Sequence, residues 1–224
     1  MTPEPITGER KELILPKQIH VGGPVGSGKT SLVKVNAEAL GASIFEEEFT
    51  DNPDLVRFYT VDPYKYAAPA QSAFLIPELK DGKRLVEMKG KETILLDGGR
   101  QQNTKICEYL HSRGMISDKD LDSLMRVRRA AEERGEVAKP DHTIAMFGDP
   151  VAINQQVIDR ARQMEIAMMK IVPDYFLKMA EFFNEETLAG RWEGDVIVIE
   201  VGSYDFNKRK DRERLIESIR ERIV

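Results

Sequence analysis

The sequence predicts an α/β protein whose parallel five-stranded sheet carries helices on both faces. Short apolar runs alternate with longer stretches of helical spacing throughout the chain. One of them, Thr93-Ile94-Leu95-Leu96, is apolar without alternation, as a strand buried on both faces should be. A glycine-rich turn, residues 23–30, joins the first apolar run to the first helical stretch. That strand–turn–helix order is the start of a doubly wound sheet.

The elements follow in order. Residues 1–17 are polar and proline-containing and read as a flexible tail, leaving 18–224 as a single domain. A first strand spans about Gln18 to Gly22, and the helix after the turn reaches Leu40, with Gly41 as its stop. Ala42 to Glu46 reads as a short second strand. Asn52-Pro53 and Asp62-Pro63 each open a helical region, proline suiting a first helical turn. The third strand ends in Asp97-Gly98-Gly99. Gln101 to Arg113 has helical spacing, and Gly114 ends it. Ser117-Asp118-Lys119-Asp120 is an N-cap with an acidic first turn, opening a charged helix that fades near Gly135. His142 to Phe147 is a strand, and Val151 to Ile171 is largely helical. Pro173 interrupts before Tyr175 to Phe183 resumes. Asp195 to Ile199 is the last strand, and a charged helix from Asp211 closes the chain.

The turn itself carries chemistry. Gly23-Pro24-Val25-Gly26-Ser27-Gly28-Lys29-Thr30 is a complete G-x-x-x-x-G-K-T phosphate-binding loop, with Ser31 beginning the helix. Its glycines let successive backbone N–H groups point inward at a phosphate chain, where the helix N-terminus adds partial positive charge. Lys29 can reach the terminal phosphates, and the Thr30 hydroxyl can ligate the magnesium that travels with a triphosphate. A plain glycine turn is the bland alternative, but it would not require the whole pattern between strand and helix.

A phosphotransferase also needs an acceptor carboxylate, an anion near the magnesium and cations over the moving phosphoryl. Glu46-Glu47-Glu48 and Asp97 end the second and third strands at the edge where such sheets bind ligands. Arg160 and Arg162 lie on a helix after the fourth strand, close to Glu165. Taken singly, each has an ordinary reading: a solvated strand end, a turn, exposed helix charges. Their joint order behind a phosphate loop favours function.

Composition sets limits. With 224 residues the chain can bury roughly 70 % of its extended surface. A net charge of −5 gives no overall pull toward nucleic acid. Arg126-Val127-Arg128-Arg129 reads as the solvated face of a helix balanced by Glu132 and Glu133, with a polymer-binding patch as the alternative. The single cysteine, Cys107, excludes an internal disulfide, suits a cytoplasmic location and reads as a half-buried small residue. No apolar run approaches membrane-spanning length, and three scattered histidines offer no metal-ligand spacing.

The blocks Gly22 to Leu32, Glu47-Glu48-Phe49-Thr50-Asp51-Asn52-Pro53, Phe58-Tyr59 and Asp62-Pro63-Tyr64-Lys65-Tyr66-Ala67 occur in fixed order. Gln71, Phe74-Leu75, Leu110 to Ser117, Lys139-Pro140-Asp141 and Arg160-Ala161-Arg162-Gln163-Met164-Glu165 follow. In these the chain resembles the deoxynucleoside kinase family over Ile19 to about Phe206. The resemblance implies a P-loop kinase three-layer sandwich with an arginine lid. It implies Glu47 as the carboxylate for the nucleoside 5′-hydroxyl and Tyr59 with Glu165 at the sugar 3′-hydroxyl. Gln71 would pair with the base edge, and Phe74 would wall the base pocket or serve the core. Arg160 and Arg162 would close over the phosphates with their permanently charged forks. Asp97 and Thr30 would hold Mg2+ with ATP or another triphosphate. Val201 to Phe206 resembles the segment that contacts the donor base. It also implies a homodimer through helices near Gln101 to Arg134, which Met115 and neighbouring apolar positions would allow.

One departure stands out. The family's acid-arginine-serine after strand three is here Asp97-Gly98-Gly99-Arg100. Either Arg100 swings into the missing arginine's place or the acceptor site is altered. The amide-rich Gln101-Gln102-Asn103 reads as acceptor recognition or as a polar cap. The leading expectation is transfer of a γ-phosphoryl to the 5′-hydroxyl of a deoxynucleoside, with a purine as the first candidate. The alternatives are a relative acting on another hydroxyl, of a nucleotide or a hydroxymethylated base in DNA, and a nucleotide-binding subunit with little turnover. Nucleic acid is a partner only under the DNA alternative.

Overall fold

The structure is a computed structural model describing residues 17–45, 52–137, 139–206 and 208–223. Strands β1 (Gln18–Gly22), β2 (Ser43–Phe45), β3 (Ile94–Asp97), β4 (His142–Phe147) and β5 (Asp195–Glu200) form one sheet in the order β2-β3-β1-β4-β5. Every pairing is parallel, as the sequence predicts. The central position of β1 decides where the site lies. Val21 is in register with Asp97, so the loop leaving β1 and the acid ending β3 share one edge.

Helices α1 (Lys29–Leu40) and α9 (Arg209–Ile223) cover one face. Leu32, Val33, Leu215 and Ile219 pack there against Ile19, Val21, Ile144 and Ile197. The opposite layer contains α2 (Pro53–Thr60), α3 (Pro63–Met88), α4 (Arg100–Ser112), α5 (Asp118–Glu133), α6 (Pro150–Arg160), α7 (Gln163–Ile171) and α8 (Tyr175–Leu188). Its core joins Phe58, Leu110, Val157, Met168, Tyr175, Phe176 and Phe183. Each such side chain taken fully out of water contributes roughly 1.5–3 kcal/mol. Three layers result, as the resemblance implies.

Local signals explain the helix starts. Asn52 accepts from the backbone N–H of Asp54 at 2.8 Å, and Asp62 from those of Tyr64 and Lys65. Ser117 accepts from the N–H of Asp120 at 3.2 Å. Gly41 ends α1 at φ 61°, in the left-handed region.

The stretch 151–171 is largely helical, as expected, and is divided into two helices. Ala161, at φ 51°, marks the break between α6 and α7. Several expectations are corrected. The basic run is not a uniformly solvated face. Arg128 is buried against Glu78, while Arg126 and Arg129 stay exposed and pair with Asp122. Met115 is buried in the core of its own chain, so it offers no dimer surface. Cys107 is fully buried rather than half-buried. The last helix begins at Arg209, before Asp211. The expected tail lies outside the described residues except for Lys17, whose carbonyl accepts from the Ile94 N–H at 2.8 Å. No helix among the described residues is long and apolar enough to cross a membrane.

Candidate active site

The phosphate loop turns tightly between β1 and α1. The Ser27 N–H donates to the Pro24 carbonyl at 3.2 Å, and Gly28, at φ 90°, caps α1. Gly26 has a close neighbour as well as a left-handed φ of 93°. A Cβ there would come within 2.7 Å of Val157 Cγ2 and 2.8 Å of the Ile153 carbonyl. Only glycine lets the loop rest this closely on α6. Pro24, Val25 and Gly23 complete the loop, and Thr30 and Ser31 stand exposed at its mouth.

Lys29 folds back over this loop, donating from Nζ to the Gly23 and Pro24 carbonyls at 2.9 Å each. Desolvation around the amine, helped by Arg160 and opposed by Asp97, brings its pKa down to about 8. The Thr30 hydroxyl donates to Asp97 Oδ2 at 2.5 Å. A hydroxyl and a carboxylate converging beside the loop suit Mg2+, which takes few protein ligands and completes its shell with water and phosphate. Among the described residues no cluster of three His, Cys, Asp or Glu offers a separate metal site.

The lid arginines meet Glu165 across the α6–α7 junction. Arg160 donates from Nε to Glu165 Oε2 at 2.8 Å and from Nη2 to Oε1. Arg162 Nη1 lies 3.9 Å from the same carboxylate but is itself largely exposed. Tyr59, on α2, is close enough to Glu165 and Arg160 to feel both charges. Burial first, then Glu165, pushes its phenol up to about 12, so it remains a neutral hydrogen-bond donor. Thus Lys29, Thr30, Asp97, Arg160, Glu165 and Tyr59 gather at one edge. Glu47 lies outside the described residues.

Gln71, Phe74 and Arg100 lie apart from this cluster of side chains. Gln71 is buried on α3, where its Oε1 accepts from the Cys107 thiol at 3.3 Å. Phe74 is half-buried on the same helix. Arg100 does not take the missing arginine's place. Its guanidinium turns into the protein and pairs with Glu132 and Glu193. The reason is the two-glycine turn, with Gly98 and Gly99 both at positive φ. This turn starts α4 at Arg100 and aims that side chain at the core.

Other polar side chains near these elements take partners distant in sequence. Gln102 pairs with the Gly23 peptide, and Gln101 with Glu193. Arg128 holds Glu78 through two 2.9 Å hydrogen bonds and also donates to Cys107 at 3.4 Å. The amide-rich run at 101–103 was the one signal in the sequence. Phe206 packs beside the loop, 3.3 Å from where a Cβ on Gly28 would stand.

A phosphate loop after β1, facing an acid from β3 and an arginine lid after β4, defines a nucleotide-binding phosphotransferase. The chain belongs to the deoxynucleoside kinase family, whose profile matches residues 19–224. It is 28 % identical over 213 residues to the deoxyadenosine/deoxycytidine kinase of Bacillus subtilis (strain 168), covering 93 % of this chain and 95 % of that one. It is 44 % identical over 170 residues to a deoxyguanosine kinase of Lactobacillus johnsonii, covering 74 % of each. The M. mycoides deoxyadenosine kinase with dCMP and dCDP superposes with a TM-score of 0.72 at 16 % identity, over 91 % of this chain and 99 % of that one. The same enzyme with dATP gives 0.71 at 18 %, over 92 % and 97 %. At such identities the likeness is one of fold. Family membership makes the chain a kinase acting in nucleoside phosphotransfer.

Proposed function

We propose that this kinase transfers the γ-phosphoryl of ATP, or of another nucleoside triphosphate, to the 5′-hydroxyl of a deoxynucleoside. A purine is the first candidate base, because the relatives include deoxyadenosine and deoxyguanosine kinases. The observation that carries the reading is the gathering of Lys29, Thr30–Asp97 and Arg160–Glu165 beside Tyr59. The acceptor oxygen attacks the γ-phosphorus as the bond to the β–γ bridging oxygen breaks, releasing the diphosphate. Glu47 takes the hydroxyl proton. Lys29, Arg160 and Arg162 offset the charge on the moving phosphoryl, and Tyr59 with Glu165 orients the sugar. Thr30 and Asp97 would hold Mg2+, which supplies charge neutralisation on the triphosphate. The position of Phe206 beside Gly28 supports a donor-base role for 201–206.

The commitment of Arg100 to internal pairs favours keeping one second reading, in which the acceptor hydroxyl belongs to a nucleotide or to a modified base in DNA. Incubation with labelled ATP and a panel of nucleosides, monophosphates and DNA separates the two. Transfer to polymer alone overturns the first reading. Glu47→Gln should keep triphosphate binding while transfer falls roughly 10²-fold or more. Full turnover in that variant removes Glu47 from the role. A cytoplasmic homodimer through helices 101–134 belongs to the same proposal on family resemblance, and light scattering of the purified chain tests the dimer.

A further inference from the structure

The amide of Gln102 and the peptide of Gly23 form a closed pair. The Gly23 N–H donates to Gln102 Oε1 at 2.9 Å, and Gln102 Nε2 donates to the Gly23 carbonyl at 2.9 Å. Both residues are buried, and 79 positions separate them in the chain. Gln102 is therefore not a helix cap, since its side chain satisfies neither end of α4. It holds the first residue of the phosphate loop from the first turn of the helix that follows Asp97. The Gly98 N–H, donating to the Val21 carbonyl at 3.0 Å, ties the same two segments together one step away.

The Gly23 carbonyl has a second donor. Lys29 Nζ reaches it at 2.9 Å, and reaches Pro24 as well. To serve the triphosphate, Lys29 must leave these carbonyls. A buried carbonyl stripped of all donors bears its full desolvation penalty. Gln102 removes that penalty at Gly23, because its own hydrogen bond stays when Lys29 departs. The neighbouring amides do not share this position: Gln101 bonds to the Glu193 backbone and carboxylate, and Asn103 to Glu78.

We propose that Gln102 is a positioning residue for donor binding, one that fixes the Gly23 peptide and releases Lys29 to the triphosphate. The inference rests on the donor half of the proposed function and is independent of the acceptor. A Leu at 102 would leave the Gly23 N–H without its Gln102 partner, and the Gly23 carbonyl with Lys29 as its donor, so that releasing Lys29 would strip it. A Glu would keep the acceptor for the Gly23 N–H but lose the donor to its carbonyl.

The test is equilibrium binding of ATP with magnesium, alongside KM for ATP and for the nucleoside, in Gln102→Leu, Gln102→Glu and Gln101→Leu. Both Gln102 variants should weaken ATP binding and raise its KM about tenfold, the effect of roughly one lost hydrogen bond. The nucleoside KM should not move. Gln101→Leu loses its contacts with Glu193, so it should melt earlier but bind ATP as the parent does. Unchanged ATP affinity in Gln102→Glu would overturn the proposal, as would an equal loss in Gln101→Leu. Failure of both Gln102 variants to fold would overturn it too, marking a staple of the fold alone. ATP binding is read directly. A protein that transfers to no nucleoside yet shows these shifts would refute the acceptor reading and leave this one standing.

Discussion

Arg160 and Glu165 hold each other across the junction of α6 and α7, with Arg160 Nε 2.8 Å from Glu165 Oε2. The carboxylate proposed to orient the sugar therefore also anchors the arginine proposed to cover the phosphates. The backbone between them bends at Ala161, a non-glycine residue in the left-handed region at φ 51°. Such a residue carries of order 1 kcal/mol or more of strain. In the proposed role, a sugar hydroxyl arriving at Glu165 would compete for the oxygens that Arg160 now occupies, which would link acceptor binding to lid release. Glu165→Gln should lower kcat/KM for a deoxynucleoside by about 10-fold to 10²-fold, the scale of a lost charge-assisted hydrogen bond. The sharper check uses a 2′,3′-dideoxynucleoside. In the parent enzyme it should be a far poorer substrate than the deoxynucleoside, and in Glu165→Gln the gap should close. An undiminished gap would place the 3′-hydroxyl elsewhere.

Lys29 gives a pH dependence whose sign can be worked out. Burial, with Arg160 adding to it, lowers its pKa from 10.5 to about 8. Between those values the unfolded chain binds the proton and the folded one does not, so this residue makes stability rise with pH across that window. Donor binding runs the other way. Phosphate favours the charged amine, so above about pH 8 the lysine takes up a proton as ATP binds and affinity falls. Titration calorimetry at pH 8.5 in buffers of different ionisation enthalpy should show that uptake, and Lys29→Arg should abolish it. Binding without proton exchange would mean the amine is already charged in the free enzyme.

Arg128 and Glu78 form a buried pair, with side chains only 2 % and 4 % exposed and two hydrogen bonds of 2.9 Å. Removing one member leaves the other charged and unpaired in the interior. Arg128→Met or Glu78→Leu alone should cost about 3–5 kcal/mol in urea denaturation, whereas the double variant should recover much of the loss. Additive losses would show that the two side chains act independently, each through its other contacts.

The fold was largely legible because its signals are local. Strand runs, proline-opened helices and Gly41 each act within a few residues, and the structure reproduces them. The long α3 is harder to read, since it runs through Pro69, Pro77 and Gly82, and packing has to override the lost hydrogen bonds. Within the site, the phosphate loop and Asp97 could be read because motif and strand end coincide. Arg100 could not, because proximity to Asp97 in sequence says nothing about helical phase. The same limit hid Arg128: in a run of basic residues, period alone does not say which faces inward. Gln102 and Gln101 were beyond reach for another reason, their partners lying 79 and 92 residues away.

Gln71 Oε1 accepts from the Cys107 thiol at 3.3 Å, while Arg128 donates to that sulfur at 3.4 Å. Burial raises the thiol pKa, so the sulfur keeps its proton and remains a donor. With the thiol on one of its two lone pairs, the carbonyl is only partly engaged, and Gln71, proposed to face the base, would offer chiefly its NH2 group. That group matches an edge of acceptors such as the O6 and N7 of guanine, whereas the N6 amino group of adenine would meet only an oxygen already shared with the thiol. Deoxyguanosine and deoxyinosine should therefore be phosphorylated ahead of deoxyadenosine, by about tenfold in kcat/KM for one misplaced hydrogen bond. Cys107→Ala frees the amide to turn over, and the ratio should shrink to within a few-fold while the KM for ATP stays put. Gln71→Leu should erase the preference altogether. A ratio unchanged in Cys107→Ala but lost in Gln71→Leu would keep Gln71 as the reader of the base and dismiss the thiol as what orients it.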